Sequence, residues 1–187
     1  MTTRRARLSA LAILASTAVA VTATARGAIA GDTAGDDSRG DQNILRVQLT
    51  SYQEDPLALS TNGSGQFRVQ INERAQEISY QLSYSGLAGA VTQAHIHLGG
   101  RAQSGGIIVF LCSNLGNGPA GTQACPAAPA TISGTIRPAD IIGPAEQGIT
   151  AGQFGALVAA IRAKTAYANV HSTIYPGGEI RGQLVKH

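Results

Sequence analysis

Two histidines, His95 and His97, stand one residue apart in a short apolar run, and a third, His171, lies in a later strand-like run. Residues i and i+2 of a β-strand point to the same face of a sheet. We therefore expect His95 and His97 to stand side by side, with the apolar residues between and around them on the opposite face. Three imidazoles form a ligand set suited to one Cu or Zn ion.

The same residues also fit a structural polar cluster. Asn169 shares one side of its strand with His171, and Glu179 follows in the next run. Neighbouring strands lie about 4.8 Å apart, so polar pairs of His95 and His97 with Asn169, His171 and Glu179 are within reach. A carboxylate such as Glu179 would then hold an imidazole in its protonated form. The sequence leaves both interpretations open.

Apolar and polar residues alternate from residue 43 onward. In the first run, Leu45, Val47 and Leu49 are separated by polar residues, which is typical of an antiparallel strand with one buried face. Clusters of Gly, Asn and Ser mark turns between the runs. The spacing predicts an all-β fold, an antiparallel, Greek-key-like β-sandwich of about eight strands. The predicted strands occupy residues 45–50, 67–71, 78–84, 91–98, 106–112, 131–137, 167–173 and 178–186.

One segment has the period of a helix instead. Apolar residues between Phe154 and Ile161 recur at i, i+3, i+4 and i+7, which predicts a short amphipathic helix. Thr150 and Gln153 resemble a capping box, with the threonine at the N-cap. We expect this helix to cover one edge or open end of the sandwich.

The chain has two cysteines, Cys112 and Cys125, separated by a loop rich in Gly, Pro and Asn. In an oxidising compartment an even pair predicts a disulfide bond. A metal-binding C-x2-C spacing is absent.

The N-terminus has the pattern of a secretory signal peptide over residues 1–30. Arg4, Arg5 and Arg7 precede an uncharged apolar run of 16 residues, 8–23, and two Ala-x-Ala sites then predict cleavage after Ala25 or Ala30. Residues 31–42 are polar and predict a disordered linker, followed by one domain over 43–187. We therefore expect an exported protein that is secreted, periplasmic or at the cell surface, with no membrane span after cleavage.

Cleavage would also remove most of the positive charge. The full chain has 14 basic and 11 acidic residues, a net charge of +3. Loss of the three arginines before the apolar run leaves a net charge of 0, and loss of Arg26 as well leaves −1. The basic surface that nucleic-acid binding requires is therefore not expected.

The central and final motifs resemble those of the CHRD domain, a module found in chordin and in exported bacterial proteins. The central motif is Ser-Gly-Leu at 85–87 followed by Val-Thr-Gln-Ala-His-Ile-His-Leu-Gly at 91–99. The final motif is Tyr-Ala-Asn-Val-His at 167–171, continued by Pro-Gly-Gly-Glu-Ile-Arg-Gly-Gln at 176–183. The resemblance covers residues 43 to 185 and implies an extracellular all-β module without implying a reaction.

A looser similarity is to the copper/zinc superoxide dismutases. His95, His97 and His171 would match three copper ligands of that pattern, and Arg181 its anion-guiding arginine. The fourth copper ligand and the long zinc loop have no counterpart, so at most one metal ion could be held. The glycine-rich segment around Arg101 could frame a small anion near Arg101 and Arg181.

The sequence therefore predicts a non-enzymatic binding or structural module, with no cofactor and an unknown extracellular protein or small ligand as partner. The alternative is a mononuclear Cu or Zn protein that uses His95, His97 and His171. Arg101, Asn169, Glu179 and Arg181 are the candidate residues around that site.

Overall fold

A computed structural model describes residues 43–186, which confirm the predicted all-β class. The predicted signal peptide, the whole predicted linker (31–42) and His187 lie outside the described residues. Within that range the chain forms eight strands, all paired antiparallel, and one α-helix. They are β1 (Ile44–Thr50), β2 (Ser64–Asn72), β3 (Glu77–Ser85), β4 (Val91–Leu98), β5 (Ile107–Ser113), β6 (Ala130–Ile136), α1 (Phe154–Arg162), β7 (Ala166–Ser172) and β8 (Ile180–Gln183).

The strands form one continuous sheet in the order β5-β4-β7-β8-β1-β2-β3-β6, and this sheet is nearly closed on itself. Side chains bridge its two edge strands. Gln123 donates from Nε2 to the carbonyl oxygens of Leu111 in β5 and Ser133 in β6, at 3.0 and 3.4 Å. The Tyr80 hydroxyl of β3 also donates to Leu111, at 3.1 Å. The eight strands thus enclose a single hydrophobic core.

The first three strands bury one face only, as their alternating sequence predicts. Leu49, Phe67 and Leu82 are almost completely buried, whereas Arg46, Arg68 and their polar neighbours on the opposite face are exposed. Side chains alternate across a strand, so a period of two places every second residue in the core.

Strands β4, β7 and β8 are buried on both faces. Ala94 and Ile96 of β4 point into the hydrophobic core, as does Val170 of β7. The other face of these three strands is also covered, yet it carries polar side chains such as His95 and Arg181. A buried polar layer of this kind needs internal hydrogen bonds or a ligand to offset its lost hydration.

The helix α1 packs its apolar stripe into the core, as predicted, but it begins later than the capping-box pattern indicates. Its N-cap is Gln153, and Thr150 does not cap it. Only part of the expected contact forms, a bond from the Thr150 amide to Gln153 Oε1 at 2.7 Å. The reason is Gly152, whose left-handed φ of 85° interrupts the backbone just before the helix.

None of the helices in the described part of the chain has the length and apolar composition that crossing a membrane requires.

Cys112 and Cys125 form a disulfide bond, which confirms the prediction from the cysteine pair. It joins β5 to the loop before β6, with 5.1 Å between the Cα atoms. Asn114 adds two bonds across the same loop: its side chain donates to the Cys125 carbonyl and accepts from the Cys125 amide, both at 2.9 Å.

Reduction of this disulfide should lower the free energy of unfolding by about 3 kcal/mol, because the bond restricts a short glycine-rich loop in the unfolded chain. Urea denaturation with and without reductant measures the difference. A Cys112→Ala/Cys125→Ala variant is the control and should not respond to reductant. Unchanged stability of the unmodified protein under reductant would contradict the expectation.

Candidate metal centre

The three histidines singled out in the sequence meet on the covered outer face of β4 and β7. His95 and His97 stand side by side with ring centroids 5.3 Å apart, as expected for alternate strand residues. His171 pairs in register with Gln93 and so lies diagonally across from His95, with 4.9 Å between the ring centroids. His95, His97 and His171, hereafter the histidine cluster, have exposed fractions of 0%, 8% and 6%.

Two backbone carbonyls determine where the protons of the cluster lie. His97 Nδ1 is 2.9 Å from the Gly105 carbonyl oxygen, and His171 Nδ1 is 2.9 Å from that of Pro176. A carbonyl oxygen only accepts, so each of these Nδ1 atoms carries a proton and donates it. In the neutral rings, both Nε2 atoms are then lone-pair acceptors.

The position of the proton on the third ring, His95, follows from that on His171. His95 Nδ1 lies 3.1 Å from His171 Nε2. Since His171 Nε2 is an acceptor, His95 Nδ1 donates to it, and His95 Nε2 is left with a lone pair. The Nε2 atoms of His95 and His97 are buried and have no hydrogen-bond partner among the described residues. A buried acceptor without a hydrogen-bond partner lowers the stability of the fold. A bound cation is one group that would interact favourably with these two lone pairs.

Burial keeps the cluster uncharged. Desolvation lowers the pKa of His95 far below its usual range, and the neighbouring His171 and His97 lower it further. Desolvation also lowers the pKa of His97 to about 4, despite the opposing effect of the bond to Gly105. The pKa of His171 is lowered by the same cause. Neutral imidazole is the form that binds metal ions.

The nitrogens of the three rings converge, with a spacing wider than that around a bound ion. One ligand nitrogen from each of the three rings lies within 4.8 Å of the other two. Tetrahedral ligands about 2.0–2.1 Å from one ion lie about 3.4 Å apart, so a pair at the full 4.8 Å would have to approach by more than about 1 Å. The Nδ1–H bonds of His97 and His171 to carbonyls match the outer-shell bonds that orient metal-binding histidines.

Aromatic rings line the cluster. The ring of Phe110 from β5 meets His95 edge-on at 4.4 Å between centroids. Tyr167 stacks on His97 at 4.9 Å, nearly parallel. The guanidinium carbon of Arg181 lies 3.5 Å from the centre of the Tyr167 ring, a cation–π contact. Tyr167 thus separates a positive charge from the imidazoles.

Of the polar pairs considered for this cluster, the one between His95 and His171 forms, whereas neither His95 nor His97 bonds to Asn169 or Glu179. Asn169 donates to Glu54 Oε1 at 2.7 Å. Glu179 Oε1 instead accepts from the Ala88 amide at 2.6 Å. The interpretation in which Glu179 keeps an imidazole protonated is wrong for the same reason, because burial dominates and lowers the histidine pKa values.

The backbone of the turn before β8 requires glycine at position 178 of the final motif. Gly178 has a φ of 135°, a conformation that side chains rarely adopt. A Cβ atom there would lie 2.5 Å from Asn169 Nδ2 and 2.7 Å from Glu54 Oε2. Glycine is therefore required for the Asn169–Glu54 contact beside the cluster.

The two arginines predicted near the site differ in role. Arg181 is buried, and its Nη2 donates to the Gly100 and Gln103 carbonyls at 2.7 and 3.0 Å. Arg101 is exposed. Both border a cavity that the glycine-rich segment helps to enclose.

Sequence reasoning did not single out Glu54 or Gln183 for this region. Gln183 is buried and donates from Nε2 to three carbonyl oxygens, those of Gly99, Lys164 and Ala166. Gln183 lies two residues after Arg181 and therefore on the same face of β8, and this spacing could have placed it near the site from sequence alone. Glu54 follows a short 3-10 turn (Ser51–Gln53), and no local pattern marks it.

The fold and the paired motifs define an all-β module with a buried histidine cluster on one sheet face. The chain belongs to the CHRD domain family, whose model matches residues 45–184. Neither the comparison with curated proteins nor that with solved structures finds a match. The family is in general a non-catalytic one.

The stability of the metal-free protein should fall between about pH 6.5 and pH 4. Above pH 6.5 His97 is neutral in both the folded and the unfolded chain. Below it, the unfolded imidazole binds a proton that the buried one does not accept until about pH 4. The resulting loss is about 3 kcal/mol for His97 alone.

Urea denaturation at several pH values measures the slope of the free energy of unfolding against pH. A His97→Gln variant should have a shallower one, since it lacks this titrating group. Identical slopes in the two proteins would contradict the assignment.

Proposed function

We propose that this protein is an exported, non-enzymatic CHRD module whose histidine cluster binds a single Cu or Zn ion. The observation that carries the proposal is the convergence of three buried, neutral imidazoles, in which the Nε2 atoms of His95 and His97 have no partner. The third ligand atom, His171 Nε2, would exchange its hydrogen bond from His95 Nδ1 for the ion. The carbonyls of Gly105 and Pro176 supply the orienting bonds.

The donor set favours these two metals. Imidazole nitrogens suit Cu and Zn, whereas Ca and Mg require oxygen ligands. Three protein ligands leave one position of a tetrahedral ion free. The non-catalytic character of the family supports a role in binding rather than in a reaction.

Export is supported by two independent features. The N-terminal sequence has the order of a signal peptide. The Cys112–Cys125 disulfide suits an oxidising compartment outside the cytoplasm.

Metal loading tests the proposal directly. Protein incubated with Cu(II) or Zn(II) and then dialysed should retain one ion per chain by elemental analysis. A His97→Ala/His171→Ala variant should retain none. His187→Ala is the matched control, because it removes the chain's fourth histidine and should retain the ion. Equal retention in the double variant and the unmodified protein would refute the proposal.

A second readout needs no variant. A metal ion that binds only the folded protein stabilises it by about 2.7 kcal/mol at a free concentration 100 times the dissociation constant. The thermal midpoint of the unmodified protein should therefore rise with Cu(II) or Zn(II) and not with Mg(II). An equal response to Mg(II) would also refute a site built from imidazoles.

A further inference from the structure

A cavity of about 240 Å³ lies on the same covered face of the sheet as the histidine cluster. Its walls are the segment Tyr52–Glu54, the loop residues Arg101 and Ala102, and Arg181 and Gln183 of β8. This volume exceeds that needed for one water molecule many times over. It is large enough for a ligand of several non-hydrogen atoms.

The walls are held in place by contacts across the cavity mouth. Ser104 Oγ donates to the Asp55 side chain at 2.8 Å, which ties the loop after β4 to the segment after β1. Arg181 is only 2% exposed and is fixed by the Gly100 and Gln103 carbonyls and by the Tyr167 ring. A buried guanidinium positioned in this way is a preorganised anion site.

The cavity also presents hydrogen-bond acceptors. Glu54 Oε1 accepts a bond from Asn169, and a hydrogen bond from the Asp55 backbone lowers the Glu54 pKa. Glu54 does not belong to the ion pairs of the described residues, which are Arg137–Glu77 and Arg162–Glu73. Desolvation raises the Glu54 pKa to about 7, although Arg181 lowers it in part. Gln183 Oε1 is buried and has no partner among the described residues. Two arginines therefore line the same cavity as an incompletely paired carboxyl group.

We propose that this cavity binds a small carboxylic acid that carries a hydroxyl or amino group next to its carboxylate. The planar carboxylate matches the guanidinium groups of Arg101 and Arg181. The neighbouring O–H or N–H donates to Glu54. Acetate lacks that donor, and phosphate places extra negative charge against Glu54. The site involves none of the histidines, so it stands independently of the proposed metal binding.

Calorimetric titration of metal-free protein with lactate, alanine, acetate and inorganic phosphate tests the ligand class. Lactate or alanine should bind about tenfold more tightly than acetate, the effect of one hydrogen bond to a charged group. The stronger of the two identifies hydroxyl or ammonium as the preferred donor. Equal affinity for lactate, alanine and acetate, or tighter binding of phosphate, would overturn the proposal.

Two variants and a matched control locate the site. Arg101→Gln should weaken lactate and alanine binding about tenfold, whereas Arg68→Gln removes an equal charge from the outer face of β2 and should have no effect. Glu54→Gln should reduce the ratio by which lactate and alanine bind more tightly than acetate. Equal weakening by Arg101→Gln and Arg68→Gln would overturn the assignment to this cavity.

Amide chemical shifts of the unmodified protein locate the ligand without a variant. On addition of lactate or alanine, the largest changes should fall at residues 52–54 and 101–103. Changes centred elsewhere would place the binding site outside this cavity and overturn the proposal.

Discussion

The hydrogen bonds from His97 and His171 to the carbonyls of Gly105 and Pro176 organise the histidine cluster. Each bond places the proton on Nδ1 and turns the Nε2 lone pair inward. Because both carbonyls belong to loops, the strands alone do not create the site. It depends on the loop after β4, which Arg181 anchors through two further carbonyls. One buried cation thus fixes the loop that orients His97 and also lines a neighbouring cavity.

Much of this arrangement could be predicted from local sequence. Alternation along a strand is a property of adjacent residues, so His95 and His97 could be placed on one face without tertiary information. The start of α1 could not be placed correctly, because the left-handed backbone at Gly152 overrides the resemblance of Thr150 to an N-cap.

The partners of the polar side chains were less accessible to sequence reasoning. Glu179 accepts from an amide 91 residues away, a contact that depends on how the turn before β8 meets the loop after β3. The carbonyls that orient the histidines are backbone groups, which every residue possesses, so no residue type marks them. Burial then reverses the charge state that a carboxylate neighbour would have favoured.

The bridge between β5 and β6 has a further consequence for the edges of the sheet. Edge strands with unpaired amide and carbonyl groups can form hydrogen bonds with strands of other chains. On β5, Gln123 and Tyr80 occupy the Leu111 carbonyl, and the Ile142 amide donates to the Ile108 carbonyl. The Cys112–Cys125 bond holds the Gln123 loop against this edge. The disulfide therefore helps to keep part of the β5 edge covered, in addition to its contribution to the stability of one molecule.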